Sequence, residues 1–158
     1  MALSHFLSTL LQPIYDQVTQ SMTFIRGVHA IDAVELYAKK GFLRNTTLFA
    51  TFYVDNLYTT FLHEETLELL ERFLSQYVAD RQIQGIPIDS IMELVTVFLQ
   101  NQYFIYKNKV YRQIKGSGSE SPLSLLLANI SMFYRQQDLV NHLLSKSEMF
   151  GRYIDYLF

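Results

Sequence analysis

The amino-acid sequence predicts a single α+β domain, rich in helices and with a small antiparallel sheet. The chain has 158 residues, 49% hydrophobic and 18% charged, a composition typical of a globular domain with one core. Helical and strand-like patterns follow one another without the strand–helix–strand rhythm of a parallel sheet. No internal repeat or low-complexity linker interrupts residues 1–158, which favours one domain.

Composition excludes several classes of protein. The chain contains no cysteine, so disulfide scaffolds and thiolate metal sites are excluded. The first residues lack a basic region, and Gln12 and Asp16 interrupt the apolar run that follows, so neither a signal peptide nor a membrane span is predicted. We therefore expect an intracellular protein, nuclear or cytoplasmic, without a membrane partner. The net charge of −2 gives no general support to nucleic-acid binding, although it leaves room for a local basic groove.

Hydrophobic spacing and helix-terminating residues predict five helices. An amphipathic helix is expected over residues 3–20, and a second over residues 31–40, ended by Gly41. The third, over residues 63–79, has leucines on one side and glutamates on the other. Pro87 and Pro122 each begin a further helix, since proline is favoured at the first helical position; the last is expected to continue to about residue 145.

Strands are predicted in three places. Residues 48–55 alternate, with Leu48, Ala50, Phe52 and Val54 on an apolar face, so Tyr53 and Asp55 share the face that points away from the core. Residues 103–106 and 110–114 form a hairpin closed at residues 107–109. Residues 149–157 form a last strand.

Three segments carry a family resemblance. Residues 51–60 read Thr-Phe-Tyr-Val-Asp-Asn-Leu-Tyr-Thr-Thr, followed by His63-Glu64-Glu65. Residues 103–132 contain Tyr-Arg-Gln-Ile-Lys-Gly, then Ser-Pro-Leu-Ser, then Leu-Ala-Asn-Ile-Ser-Met. Residues 151–155 read Gly-Arg-Tyr-Ile-Asp. In order and spacing these segments resemble the reverse transcriptases of retroelements, particularly the Penelope-like and related group, and the resemblance spans nearly the whole chain.

The resemblance implies a right-handed polymerase fold, of which this chain holds the fingers and part of the palm. It implies an RNA or DNA template-primer as partner and Mg²⁺ as cofactor. The thumb would be missing, as would the strand that returns after Asp155. The C-terminal strand would then lie at a sheet edge, where it could pair with a strand of another molecule.

The resemblance also assigns the catalytic metal site, and it indicates a damaged one. Of the three aspartate positions of the family, only Asp155 keeps its carboxylate as a catalytic, metal-binding residue; Tyr53 and Tyr156 occupy the other two. A phenol has a reference pKa of about 10 and is a poor ligand for Mg²⁺. Asp55 lies two residues beyond Tyr53, roughly 6.6 Å along a strand, so it replaces the lost ligand only if the strand slips by two residues.

Further positions match substrate-binding motifs of the family: Gln113, Gly116, Ser121 and Pro122. Just before Ser121, the pair Ser119-Glu120 stands where the family has methionine-glycine. A glutamate there brings bulk and negative charge toward a triphosphate; alternatively, it is a loop residue that faces solvent.

The hairpin is a candidate binding surface in its own right. Basic residues alternate there with aromatic ones, as on surfaces that bind single-stranded nucleic acid; the plainer alternative is a ribbon with a lysine-rich turn. The basic residues are Lys107, Lys109, Arg112 and Lys115, and the aromatic ones are Tyr103, Phe104, Tyr106 and Tyr111.

Three functional hypotheses remain. The first is a reverse-transcriptase-like domain, by resemblance an RNA-directed DNA polymerase, that is unable to polymerise. The second is a non-catalytic module that binds single-stranded nucleic acid, and the third is a decayed retroelement product without a role. Other chemistry is not indicated, since the four histidines are scattered without metal-ligand spacing.

Overall fold

The computed structural model describes residues 2–118 and 121–158 and confirms the α+β class. Its helices are α1 (Ala2–Thr19), α2 (Gly27–Lys39), α3 (Leu57–Thr60), α4 (His63–Tyr77), α5 (Ile88–Gln100), α6 (Pro122–Arg135) and α7 (Gln137–Ser145). Its strands are β1 (Phe52–Tyr53), β2 (Gln82–Ile83), β3 (Ile86–Pro87), β4 (Tyr103–Tyr106), β5 (Lys109–Arg112), β6 (Arg152–Tyr153) and β7 (Tyr156–Leu157). None of the helices in these two ranges is long and apolar enough to cross a bilayer.

The chain divides into two compact units, each built from two segments. Unit 1 comprises the residues up to Val18 together with Asn56–Tyr134. Unit 2 comprises Thr19–Asp55 and Arg135–Phe158.

The core of unit 1 is made by the apolar faces of its helices. Leu70, Phe73 and Leu74 of α4 are at most 1% exposed, as are Ile91 and Val95 of α5. Their spacing of three and four residues puts each set on one side of its helix. Burying a side chain of this size contributes about 1.5–3 kcal/mol relative to exposure. The buried faces of α4 and α5 therefore contribute strongly to the stability of unit 1.

Two helix predictions need correction. The helix expected to continue from Pro122 to about residue 145 is in fact two helices, because α6 ends at Arg135 and α7 begins at Gln137. Gln136 between them is 4% exposed and keeps near-helical angles (φ −86°, ψ −6°). Helix α2 begins at Gly27, before the predicted start, and buries none of its residues.

The predicted hairpin is confirmed as β4 and β5. Tyr103 pairs with Arg112, and Tyr106 pairs with Lys109. The turn is Lys107-Asn108, and both residues have positive φ (47° and 57°), as the tight type I′ turn of a two-residue hairpin requires. The second strand, predicted over residues 110–114, therefore begins one residue earlier and ends two residues earlier, at Arg112.

The sheet of unit 2 overturns the prediction for the C-terminus. Residues 149–157 form two strands, β6 and β7, with Ile154-Asp155 as the turn between them. The strand order is β1-β7-β6, so the returning strand after Asp155 is present and lies at the centre of the sheet. The expected C-terminal edge strand, and the strand-pairing partner that it implied, are therefore wrong.

The strand predicted over residues 48–55 is reduced to Phe52–Tyr53. Its expected core-facing side is also wrong, because Leu48 is 92% exposed and Phe52 is 60% exposed. Tyr53 does point outward as predicted and is 57% exposed.

Candidate functional site

The sheet of unit 2 brings together Tyr53, Asp155 and Tyr156, the three positions that the sequence resemblance singles out. Tyr53 of β1 lies directly opposite Tyr156 of β7, and their ring centroids are 5.1 Å apart at an interplanar angle of 46°. Asp155 precedes Tyr156, and its carbonyl accepts a 2.8 Å hydrogen bond from the backbone N–H of Val54. Residues that are distant in sequence thus form one cluster.

Two carboxylates act on the phenol of Tyr53. The pKa of Tyr53 is raised above 10.0, first by the charge of Asp155, then by desolvation, and further by Asp55 and Tyr156. A raised pKa keeps the Tyr53 phenol protonated at neutral pH, so it supplies no anionic ligand. The carboxylates near Tyr53 are therefore those of Asp155 and Asp55.

These residues do not fit a two-metal magnesium site. Such a site clamps the transferred group between two cations about 3.5–4 Å apart, held by clustered carboxylates. Of the three aspartate positions, only Asp155 offers a carboxylate. Across residues 2–118 and 121–158, no group of three or more His, Cys, Asp or Glu side chains is placed to hold a metal ion.

A buried arginine supports the turn that carries Asp155. Arg152 is 2% exposed, and its Nη1 donates a 2.8 Å hydrogen bond to the carbonyl of Ile154. Ile154 has φ 53°, a left-handed conformation that is costly for a β-branched residue. On its other side, β6 is held by backbone bonds, since Arg152 donates to Met22 and Phe24 donates to Arg152. The guanidinium and this backbone pairing together fix the position of the turn.

The register adds one residue that sequence reasoning did not single out. Tyr153 of β6 pairs with Tyr156, so three tyrosines share one face of the sheet, whereas Phe52, Leu157 and Arg152 share the other. The alternation in the sequence was visible, but the central position of β7 was not. We call Tyr53, Tyr156 and Tyr153 the tyrosine row.

In unit 1, Gly116 lies at a close crossing of backbones. Its N–H donates to the carbonyl of Phe61 at 2.8 Å, and its own carbonyl accepts a 2.7 Å hydrogen bond from Nε2 of His63. The backbone N–H of Ser117 donates to the carbonyl of Tyr58 at 2.9 Å. Gly116 therefore anchors the segment after the hairpin to the α3–α4 connection.

The other predicted substrate-binding residues of this segment have structural contacts. The backbone N–H of Gln113 donates to the carbonyl of Gln102 at 2.8 Å. The hydroxyls of Ser121 and Ser4 are 2.5 Å apart, and exposed Pro122 begins α6. These four motif residues belong to unit 1, whereas Asp155 belongs to unit 2. The Ser119-Glu120 substitution lies outside the described residues.

The β4–β5 hairpin exposes every one of its strand residues. Its register gives it two faces. One face, here called the aromatic face, carries Phe104, Tyr106, Lys109 and Tyr111. The rings of Phe104 and Tyr111 stack at 5.6 Å and 19°, and Lys107 Nζ lies 5.2 Å from the centre of the Tyr106 ring. The opposite face carries Tyr103, Ile105, Val110 and Arg112.

Charge is concentrated on and beside this hairpin. Residues 102–116 contain four basic residues (Lys107, Lys109, Arg112 and Lys115) and no Asp or Glu. This segment carries +4 in a chain of net charge −2, so the rest of the chain carries −6. The four basic side chains are all exposed. A local basic surface therefore exists within an acidic protein.

Comparison with protein-family models finds no match, and comparison with curated proteins finds no relative.

Proposed function

We propose that this chain is a reverse-transcriptase-like domain that does not polymerise. The observation that carries the proposal is the meeting of Tyr53, Asp155 and Tyr156 on β1, β7 and the turn between β6 and β7. The resemblance puts a carboxylate at each of these positions, and the sheet register puts the positions side by side. The proposal thus combines polymerase ancestry with loss of the chemistry.

The loss follows from electrostatics. Without clustered carboxylates, two divalent cations cannot be held against their mutual repulsion around a transferred phosphoryl group. A neutral phenol contributes neither the charge nor the hard anionic oxygen that Mg²⁺ prefers. Mg²⁺ would have only Asp155, with Asp55 as a second carboxylate near Tyr53.

Restoring the two carboxylates tests this proposal. We expect the double variant Tyr53→Asp plus Tyr156→Asp to bind Mn²⁺ at least tenfold more tightly than the unmodified chain, which corresponds to about 1.4 kcal/mol. The cause is that three carboxylates would then meet at one end of the sheet. Isothermal titration calorimetry measures the difference, and the matched control Tyr103→Asp plus Tyr106→Asp places the same charges on the hairpin instead.

Primer extension by the unmodified chain is a second test of the proposed inactivity. Primer extension with Mg²⁺ or Mn²⁺ is expected to stay at the level of an Asp155→Asn variant. Extension by the unmodified chain that Asp155→Asn abolishes would contradict the proposed inactivity. A double variant with unchanged Mn²⁺ affinity would contradict the correspondence of positions 53 and 156 with metal ligands.

A second candidate function is binding of single-stranded nucleic acid by the hairpin. It is favoured by two features on one surface: stacked, exposed aromatic rings and a local charge of +4 without acidic residues. Bases stack on aromatic side chains with about 1–3 kcal/mol per base, while cations neutralise the phosphates. The aromatic face, with Lys107 and Lys109, supplies both.

The two faces of the hairpin allow a matched test. We expect Phe104→Ala plus Tyr111→Ala to weaken binding of a fluorescent single-stranded oligonucleotide about 10- to 100-fold, because a stacking platform is lost. The control Ile105→Ala plus Val110→Ala removes two apolar side chains from the same strands but from the opposite face, and it is expected to change the Kd less than about threefold, within the usual range of surface substitutions. Fluorescence anisotropy measures both.

Salt dependence separates charge from stacking. Lys107→Gln plus Lys109→Gln is expected to reduce the slope of log K against log salt concentration by about 1.4, since each phosphate contact to a single strand contributes about 0.7. Equal losses from both faces would contradict the assignment to the aromatic face. No binding by the unmodified chain would overturn this candidate and leave the decayed product as the remaining hypothesis.

A further inference from the structure

The tyrosine row is an exposed aromatic surface that a metal site would not require. Tyr53, Tyr156 and Tyr153 lie side by side across β1, β7 and β6. They are 57%, 46% and 40% exposed, respectively. On the other face Leu157 and Arg152 are buried and Phe52 is 60% exposed, so that face packs into unit 2 at β6 and β7, and the tyrosine row points outward.

The surroundings of the row decide which ligands it can accept. The charges of Asp155 and Asp55 both raise the pKa of Tyr53, and desolvation and Tyr156 raise it as well. The charges of these two carboxylates disfavour phosphates and carboxylates as ligands at Tyr53. A neutral apolar ligand would gain nothing from the two aspartates. A cation, in contrast, is attracted both by the carboxylates and by the negative faces of the rings.

We propose that the tyrosine row, with Asp155 beside it, is a recognition site for an organic cation, namely an alkylated ammonium or a guanidinium group. Such groups are weakly hydrated compared with Mg²⁺, so they can contact ring faces without the cost of removing a tight water shell. The 5.1 Å centroid distance and 46° tilt between Tyr53 and Tyr156 form a shallow angle between two rings against which a methylated cation can lie.

This site is independent of the hairpin. The hairpin offers cations to an anionic chain, whereas the tyrosine row offers rings and carboxylates to a cation. The proposal goes beyond the loss of polymerase activity, because replacement of two aspartates by tyrosines would then have exchanged one cation specificity for another. Its test uses no nucleic acid, so its failure and that of the proposed function are distinguishable.

The experiment is an NMR titration of tyrosine ring resonances in the whole chain, at constant ionic strength. The probes are tetramethylammonium and methylguanidinium, with tert-butanol as the neutral comparison. Both cations are expected to shift the resonances of Tyr53 and Tyr156 in a saturable manner, and tert-butanol is expected to leave them in place. Equal shifts with tert-butanol would overturn the proposal, as would displacement of tetramethylammonium by equimolar Mg²⁺.

Substitutions at Tyr53 and Asp155 test which groups bind the cation. Tyr53→Leu is expected to weaken tetramethylammonium binding about two- to fivefold, the range of an exposed cation–π contact, whereas Tyr53→Phe keeps the ring and is expected to retain the affinity. Asp155→Asn is expected to weaken binding of both cations. Tyr103→Leu removes a similarly exposed tyrosine (59%) from the hairpin and should have no effect. Unchanged affinity in Tyr53→Leu and Asp155→Asn would refute the site.

Discussion

Replacing Gly116 by alanine is expected to lower the free energy of unfolding of unit 1 by about 2–5 kcal/mol. Two costs add: a left-handed residue with a Cβ costs about 1–2 kcal/mol, and forcing extra volume into a packed site costs about 1–3 kcal/mol. Gly116 has φ +61°, and a Cβ there would overlap backbone atoms of Tyr58 and Thr59. Because those atoms belong to the main chain, no side-chain rotation relieves the overlap.

The neighbouring Gly118 provides the control. It has no positive φ, and a Cβ built on it meets nothing within 4 Å, so Gly118→Ala is expected to change stability by less than about 0.5 kcal/mol. Urea unfolding followed by circular dichroism compares the two variants. Similar stabilities of Gly116→Ala and Gly118→Ala would show that the crossing of Gly116 with the α3–α4 connection is not tightly packed.

Arg152→Ala is expected to cost at least about 3 kcal/mol, because the cavity left by a large buried side chain costs about 2–5 kcal/mol and a carbonyl left without its donor about 1–3 kcal/mol. The substitution empties the space of a large buried side chain and removes the donor to the Ile154 carbonyl. Because that bond holds the turn bearing Asp155, the β6–β7 hairpin should open first. Hydrogen exchange at the amides of Val54 and Phe158, which donate to Asp155 and Gly151, is expected to accelerate.

Arg152→Met separates packing from hydrogen bonding. Methionine fills much of the same space, so this variant is expected to recover part of the lost stability and to retain a deficit of about 1–3 kcal/mol for the carbonyl left without its donor. If the amides of Val54 and Phe158 exchanged as slowly in Arg152→Ala and Arg152→Met as in the unmodified chain, the arginine would not be what holds the turn.

Local patterns predicted the elements whose partners are close in sequence. The β4–β5 hairpin and helix α5 follow from short-range alternation and from Pro87 at a helix start, and both appear nearly as expected. The interruption at Gln136 has no such signal, because no glycine or proline occurs between Pro122 and Gly151. Tertiary burial of Gln136, which the sequence does not reveal, accompanies that break.

Long-range pairing explains the larger error at the C-terminus. Most residues of 149–157 suit a strand, although Gly151 and Asp155 belong to types depleted there. Ile154-Asp155 is not an expected tight turn, since an isoleucine with positive φ is unusual. The turn exists because β1 and β6 both pair with β7. The pairing of β1 and β6 with β7 brings Tyr53, Asp155 and Tyr156 together, and the tyrosine row became visible only with this strand order.

The division of both units into separated segments has a consequence for the order of folding during synthesis. Unit 1 has all of its residues once Tyr134 has been made, but unit 2 needs residues 135–158 as well. At roughly 5–20 residues per second, translation of that last segment takes about 1–5 s. Throughout this interval β1 has no β7 to pair with. The apolar stretch around Phe49 and Phe52 is therefore synthesised early and stays unpaired. The nascent chain is therefore expected to be most prone to chaperone capture and aggregation while residues 135–158 are being synthesised.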